Sequence, residues 1–402
     1  MIQGNANLIV DLGNSSTKCT VQFGKDSQTG KFREREFEVS NVFAPIDASY
    51  EVSSDYDDTT STILHVDTEL NGKAIKGYFC NGELQAKEKP TATIKPSATD
   101  KKYNLDSTVL SYHLAFLFAC KAIMNMNRVS DYSQLDITWN VITLLPPGDI
   151  DIGKEPIKNI IEGITKIESV FPKCEIPIKV SKTVVLPEGY CAYVASVYDK
   201  GHVFRPDNKF LTDEVVLVFD IGAGTTDCLL IKKNKLVQNS KYTVTQGGNN
   251  VYQIVRRKLR MNGLDLDDTD IRNGIIKGVV KDGSKEISIV DIVNDAKAEI
   301  ATKIISEFQD FIEVTDIKIR SVGYVLVCGG GSMKDSDADE IMSLSDKIIE
   351  RFKQLSPNSE LVKIPTHIVQ KELEDGDTKK VEEQISPRKL NLIGASIMAE
   401  II

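Results

Sequence analysis

Two short stretches of the chain gather carboxylates, glycines and hydroxyls at the density that phosphate chemistry requires. "LIVDLGNSSTKCTVQF" near the N-terminus and "VLVFDIGAGTTDCLLI" in the second half each read as an apolar strand, a small-residue turn and a return strand. Asp11 closes the first strand of one and Asp220 that of the other. Gly13, Asn14, Ser15 and Ser16 fill the first turn, with Lys18 on the way back. Gly222, Gly224, Thr225 and Thr226 fill the second, and Asp227 opens its return strand.

A polyphosphate needs backbone N–H donors at close range, which glycine permits, and Ser or Thr hydroxyls add further donors. Its usual cation, Mg²⁺, keeps most of its waters and takes one or two protein carboxylates besides phosphate oxygens. Asp11 and Asp220 suit that role through water. Lys18 can set its point charge on a phosphate. Asp and Gly are also ordinary turn residues, so neither stretch decides the matter alone.

A third element adds weight. "YVLVCGGGSMKD" is a buried strand running into Gly329, Gly330 and Gly331 and then into an expected helix. Bare backbone lets a flat ring lie close, and a helix N-terminus favours nearby negative charge. Gly247 and Gly248 in "TQGGNN" mark a similar strand-to-helix junction. Glu188 follows Pro187 at another such switch, "LPEGYCAYVA", where a carboxylate meets the positive end of a helix.

Familiar phosphate sites are excluded. There is no G-x-x-x-x-G-K-[ST] loop, and "DIGAGTTD" lacks the third glycine of a dinucleotide fingerprint and runs into a strand instead of a helix. The seven cysteines are scattered and the four histidines show no ligand spacing, which fits a reducing compartment and no structural metal. Cys19, Cys228 and Cys328 fall in strands and read as small core residues. The net charge of -9 offers no footprint for direct binding of nucleic acid. The N-terminus has no basic region before its apolar run, so no signal peptide is expected. The most apolar helical run, "LAFLFACKAIM", is shorter than a bilayer span and contains Lys121. The expectation is a cytoplasmic protein without a membrane partner.

At 402 residues the chain has room for two domains. The first hairpin leads to the half-exposed strand "REREFEV", a polar, turn-rich stretch over 41–103 expected as a small irregular subdomain with edge strands, and a core helix from "NLDSTVLSYHLAFLFACKAIMNMN". A buried strand "LDITWNVITLLPPG" ends at two prolines, and a helix is expected near 154–168 before the strand that reaches Pro187. The second hairpin leads to a strand over 235–245, a basic amphipathic helix over 249–261, a long helix over 289–313, the glycine-ended strand, and a helix over 335–355. A final helix starts at Pro387, preceded by "KELEDGDTKKVEE", expected as a solvated loop. The order of elements after the two hairpins is similar, a weak internal repeat with a half-chain period. Two α/β domains facing each other, each with an acidic hairpin, would clamp phosphates and a metal from both sides.

These motifs, in this order, resemble the actin superfamily of nucleotide-dependent ATPases. "VDLGNSSTK" is similar to its first phosphate motif, "LVFDIGAGTTD" to its second, and "VLVCGGGS" to its adenosine motif. "LPEGYCAYVA" and "NLIGASIMA" resemble the two connecting segments. Within the superfamily, "YFCNGELQAKE", "DKKYNLDSTVLSYHLAFLF" and "WNVITLLPPGDID" resemble the ParM-type plasmid-segregation actins. The resemblance implies two duplicated, ribonuclease H-like domains, 1–187 with 387–402 and 188–386, with smaller subdomains over 41–103 and 255–315. It implies Mg²⁺ and ATP, with GTP left open, and a filament of the chain itself that hydrolyses its nucleotide and disassembles. It also implies a DNA-binding adaptor on a centromere-like site. Asp11 and Asp220 would organise Mg²⁺, Glu188 would polarise the attacking water, and Asp227 would order the second phosphate loop. Asn14 departs from the small residues common at its position. A small-molecule kinase of the same superfamily is the alternative, though no motif supplies its substrate base. A chaperone would need a peptide-binding domain after the last helix, and a membrane-attached shape-determining actin an amphipathic anchor at a terminus.

Overall fold

Continuous apolar runs make central strands, because a strand with parallel neighbours is covered on both faces. Ile2–Leu12 is buried without a break from Ala6 to Leu12, and Val215–Ile221 is buried throughout. Each becomes the middle of its own sheet. The computed structural model describes the chain apart from residues 14–15, 54–55, 58, 71, 90, 92, 97–100, 333–337 and 373–377, and its backbone falls into two units. One comprises Met1–Leu145, Asp149–Pro187 and Met398–Ile402; the other comprises Pro146–Gly148 and Glu188–Ile397.

In the first unit the sheet runs, in spatial order, Phe32–Ser40, Ser16–Lys25, Ile2–Leu12, Leu135–Leu145 and Lys179–Pro187. The first three strands are antiparallel, and the last two join in parallel. Parallel joining requires crossovers, and helices Asp106–Asn127 and Ile150–Gly163 supply them. Phe116 of the longer helix meets Trp139 edge to face, with centroids 5.6 Å apart. That helix has 22 residues, longer than its apolar run suggested. It is long and apolar enough to cross a membrane, yet 83% of its most apolar window is buried inside the fold. Its apolarity is therefore used in packing on the sheet.

The second unit repeats the plan. Thr226–Lys232 pairs antiparallel with Val215–Ile221, which pairs in parallel with Tyr324–Cys328, and that strand in parallel with Glu360–Leu361. The crossover helices are Val290–Ile312 and Leu344–Phe352. They bring Phe308 and Phe352 edge-on to Phe219, at 5.6 and 6.5 Å. Truncating one ring of such a buried trio costs about 3–5 kcal/mol. Helices Gly248–Met261 and Asp268–Lys277 share this one core, so much of 255–315 packs with the sheet.

Four expectations change. The strands expected within 41–103 are not an irregular fringe: Phe43–Ile46, Ser61–Leu70 and Lys73–Gly82 form a regular five-stranded sheet with Lys166–Phe171 and Lys173–Pro177. Those last two strands occupy the end of the helix expected near 154–168 and the stretch beyond it; Gly163 ends that helix early. The strand expected over 235–245 is two short ones, Lys235–Leu236 and Tyr242–Val244. The "KELEDGDTKKVEE" tract is largely an antiparallel ribbon, Thr366–Glu372 with Thr378–Gln384, its tip outside the described residues. Charged residues of both signs hid the alternation that marks strands.

The chain end also divides differently. Pro387–Ile397 lies with the second unit. Gly329 N–H donates to Pro387 O at 3.1 Å, and a Cβ on Gly394 would lie only 1.7 Å from Cys191 O, so the helix Leu390–Ala399 sits directly on helix Tyr190–Val197.

Candidate functional site: two acidic hairpins

The first hairpin ends its ladder at Leu12 opposite Thr17, and Gly13 N–H closes the turn on Ser16 O at 3.0 Å. A buried side chain holds the turn from outside. Asn41 donates to Gly13 O at 2.5 Å, and its carbonyl oxygen accepts from the hydroxyls of Ser111, at 3.0 Å, and Thr17. Asp11 faces Lys18 directly across the strands, their charged atoms 3.2 Å apart and both largely buried. Lys18, expected on a phosphate, is thus paired with Asp11. The Ser16 hydroxyl donates to Glu38. Asn14 and Ser15 lie outside the described residues.

The second hairpin has the same register, Asp220 opposite Asp227 and Ile221 opposite Thr226, with Gly222 N–H closing on Thr225 O at 2.8 Å. Gly224 and Thr225 are half-buried in the turn. Backbone, not a side chain, walls this turn. A Cβ on Gly247 would fall 2.7 Å from Gly222 O and 2.8 Å from Thr225 N. Gly329 has φ near +86°, and a Cβ there would fall 2.3 Å from Asp220 Oδ1. Only glycine fits both positions. Gly331 packs on Ile221 and Gly222 O, and the N–H groups of Gly248 and Asn249 donate to Gly222 O and Ala223 O at 3.1 and 2.7 Å. Gly330 instead meets the Arg388 side chain. The Thr226 hydroxyl, expected toward a phosphate, donates inward to Gln246 O at 2.8 Å.

The triple glycine leads not straight into an α-helix but into a single 3₁₀ turn, Gly330–Ser332. The next helix starts at Leu344, and 333–337 lie outside the described residues.

Asp220 and Asp227 are both buried, and like charges at a cross-strand position repel. Each has a neutral donor. Thr243 Oγ1 donates to Asp227 at 2.5 Å, and the Asn391 amide donates to Asp220. Glu188, also buried, sits just before Gly189, whose φ of +72° swings the strand Lys179–Pro187 into the helix Tyr190–Val197. The Cys328 thiol is pushed well above its usual range, first by burial and then by the charges of Asp220, Glu188 and Asp227. Cys19 and Cys228, at matching places in the two hairpins, are pushed up by burial first, then by Asp11 and Asp227.

Asn41, Thr243 and Asn391 carry no mark in the sequence that would place them in this arrangement. Asn41 follows an edge strand with nothing local to mark it. Asn391 stood inside "NLIGASIMA", where a polar residue in an apolar helix needs a partner when buried. Along the basic helix Arg256 pairs with Asp268 at 3.2 Å, Arg257 with Glu299 at 3.6 Å and Lys258 with Asp295 at 3.1 Å.

Among the described residues no three His, Cys, Asp or Glu side chains converge as a metal cage. Mg²⁺ takes most of its ligands from water and phosphate and few from protein, and the buried carboxylates Asp11, in the first unit, and Asp220, in the second, are each of the donor type it accepts.

A model of the C-terminal part of archaeal MreB-like actin homologues matches residues 218–337. The actin-like protein Alp7A superposes with a TM-score of 0.64 at 16% identity, covering 99% of this chain and 97% of Alp7A. The chain is actin-like in fold. An archaeal actin homologue in complex with ADP gives a TM-score of 0.59 at 15% identity, over 99% of this chain and 100% of its own. A ParM from a 15-stranded filament of Clostridium botulinum gives 0.56 at 15%, over 99% of both chains. No curated protein sequence matches this actin-like chain.

Proposed function

We propose that the chain is a filament-forming nucleoside triphosphatase of the ParM type. It assembles with ATP or GTP and Mg²⁺, hydrolyses the nucleotide in the filament, and moves plasmid or phage DNA in the cytoplasm through a DNA-binding adaptor. The observation that carries this reading is the second hairpin: a turn walled by Gly247, Gly329 and Gly331, with Asp220 at its edge tied through Asn391 to the turn that follows Glu188. The ADP complex of the archaeal homologue and the ParM filament support nucleotide binding and self-assembly for this fold.

The amides of Asn14 and Ser15 in one turn, and of Gly224 and Thr225 in the other, serve as phosphate donors, while Gly13 and Gly222 use their N–H groups to close the turns and keep the backbone bare. Gly248 and Gly331 border the second turn, and Gly330 lies beside them. Thr226 and Ser16 act as supports of their turns, since their hydroxyls already have protein partners. Asp11 and Asp220 hold the waters of the cation, which when bound neutralises phosphate charge. Lys18 exchanges Asp11 for a phosphate oxygen. Glu188 orients the attacking water, a role that contributes roughly two to four powers of ten in rate.

Light scattering and phosphate release recorded together after adding Mg-ATP or Mg-GTP test this reading. Scattering should rise with nucleotide and phosphate release should follow. Glu188→Ala should still scatter while releasing phosphate roughly 10²–10⁴-fold more slowly. Nucleotide binding without assembly at any concentration would overturn the filament reading.

A further inference from the structure

Helix Tyr190–Val197 begins after Gly189, which has no side chain to cap it. The first N–H groups of a helix lack partners within it and need an outside acceptor. That acceptor arrives from far along the chain. The Oδ1 of Asn391 receives Gly189 N–H at 2.8 Å and Ala192 N–H at 3.1 Å. The other end of the same amide donates to Oδ2 of Asp220. Asn391 is 7% exposed, as is Asp220, and Glu188 is 8% exposed, so water offers these groups little alternative partnership.

An amide is rigid and planar, so its two ends cannot adjust independently. One end holds the N–H immediately after Glu188, and the other holds the carboxylate at the end of Val215–Ile221. Among short side chains, Asn combines an acceptor and a two-proton donor at this reach. Asp lacks the donor, and Ser lacks the length.

We infer that Asn391 is a positioning residue that fixes Glu188 and Asp220 in one frame, so that the water-orienting and cation-facing carboxylates keep their spacing. The inference rests on the reading of the chain as a Mg²⁺-dependent nucleotide hydrolase. It extends that reading to a residue that acts through Gly189 and Asp220.

Asn391→Asp separates the two ends of the amide. Its carboxylate still accepts from Gly189 and Ala192, where negative charge at a helix start is favourable, but it presents an oxygen instead of a donor to Asp220. The melting temperature should fall, because the new carboxylate stands buried against that of Asp220. The Mg²⁺ concentration for half-maximal phosphate release should rise by roughly 10–100-fold, the usual cost of losing an outer partner of a ligand. Mn²⁺ binding in the presence of ADP, followed by electron paramagnetic resonance, should weaken by a similar factor without reference to turnover. Asn391→Ser, a smaller neutral residue that can cap but not reach Asp220, should show the same loss and serves if the Asp variant does not fold. Wild-type cation affinity in either folded variant would overturn the inference and leave the hydrolase reading standing. A wild-type chain that neither binds Mn²⁺ with ADP nor releases phosphate would overturn both.

Discussion

The two hairpins share a backbone and differ in what stands opposite the acidic residue. Asp11 faces Lys18, and Asp220 faces Asp227, at the same cross-strand position in each unit. In the first hairpin an ion pair leaves the pair locally neutral. In the second, two acidic side chains are kept, each satisfied by an uncharged donor, Asn391 or Thr243. Neutral donors meet the hydrogen-bonding need of a buried carboxylate without cancelling its charge. The second hairpin therefore sets two acidic side chains beside uncharged donors, and the first sets its acid against a lysine. The turns are also supported differently: a side chain, Asn41, braces the first, and glycine backbone walls the second.

The sharpest way to break this comparison is to add one carbon to the backbone wall. Gly329→Ala forces a Cβ onto Asp220 and Ile221 O at a positive φ. Overpacking and left-handed backbone together should cost about 2–5 kcal/mol, read as a lower urea midpoint with little change in slope. A neutral outcome would mean that the second turn yields as easily as a loop.

Asn41→Ala asks the same of the first turn. It strips partners from Gly13 O and from the hydroxyls of Thr17 and Ser111, at about 1–3 kcal/mol for buried groups left unsatisfied. The expected ranking places this loss below that of Gly329→Ala on the same urea curve. The reverse order would show that the side-chain brace matters more than the glycine wall.

The smallest effect concerns what the hairpins share. Cys19 and Cys228 both have thiols raised well above the usual range by burial and a neighbouring Asp. A raised pKa keeps the thiol protonated, and only the thiolate attacks alkylating reagents. Moving from about pH 7 to about pH 9 speeds labelling of a free thiol, whose pKa is near 8.5, but should leave both cysteines unmodified in the native chain. Mass-spectrometric mapping of iodoacetamide adducts checks this. Labelling of one and not the other would show that its hairpin opens more readily.

Much of this was legible locally. The strand-turn-strand pattern around Asp11 and Asp220 is written in continuous apolar runs and in Gly13 and Gly222, and it folded as read. Pro187, Glu188 and Gly189 marked their switch from strand to helix for similar reasons, since Gly189 takes a positive φ. Lys18 showed the limit. Its charge and position were evident, but its ion pair with Asp11 depended on a cross-strand neighbour. The strands over 166–177 were missed because they complete a sheet begun a hundred residues earlier, and the 366–384 ribbon because its charges masked its period.

What the sequence determined by itself were the features governed by neighbours along the chain: apolar period, turn glycines, helix starts, and the repeat of both in two halves. The resemblance to actin-like proteins grew from those. The tertiary structure alone decided that Asn391 meets Asp220 and the start of helix Tyr190–Val197, that Asn41 reaches Gly13, and that Gly329 crowds the carboxylate of Asp220. Such contacts join residues far apart in sequence, and their free energy becomes available only after sheets and crossover helices have fixed the chain between them.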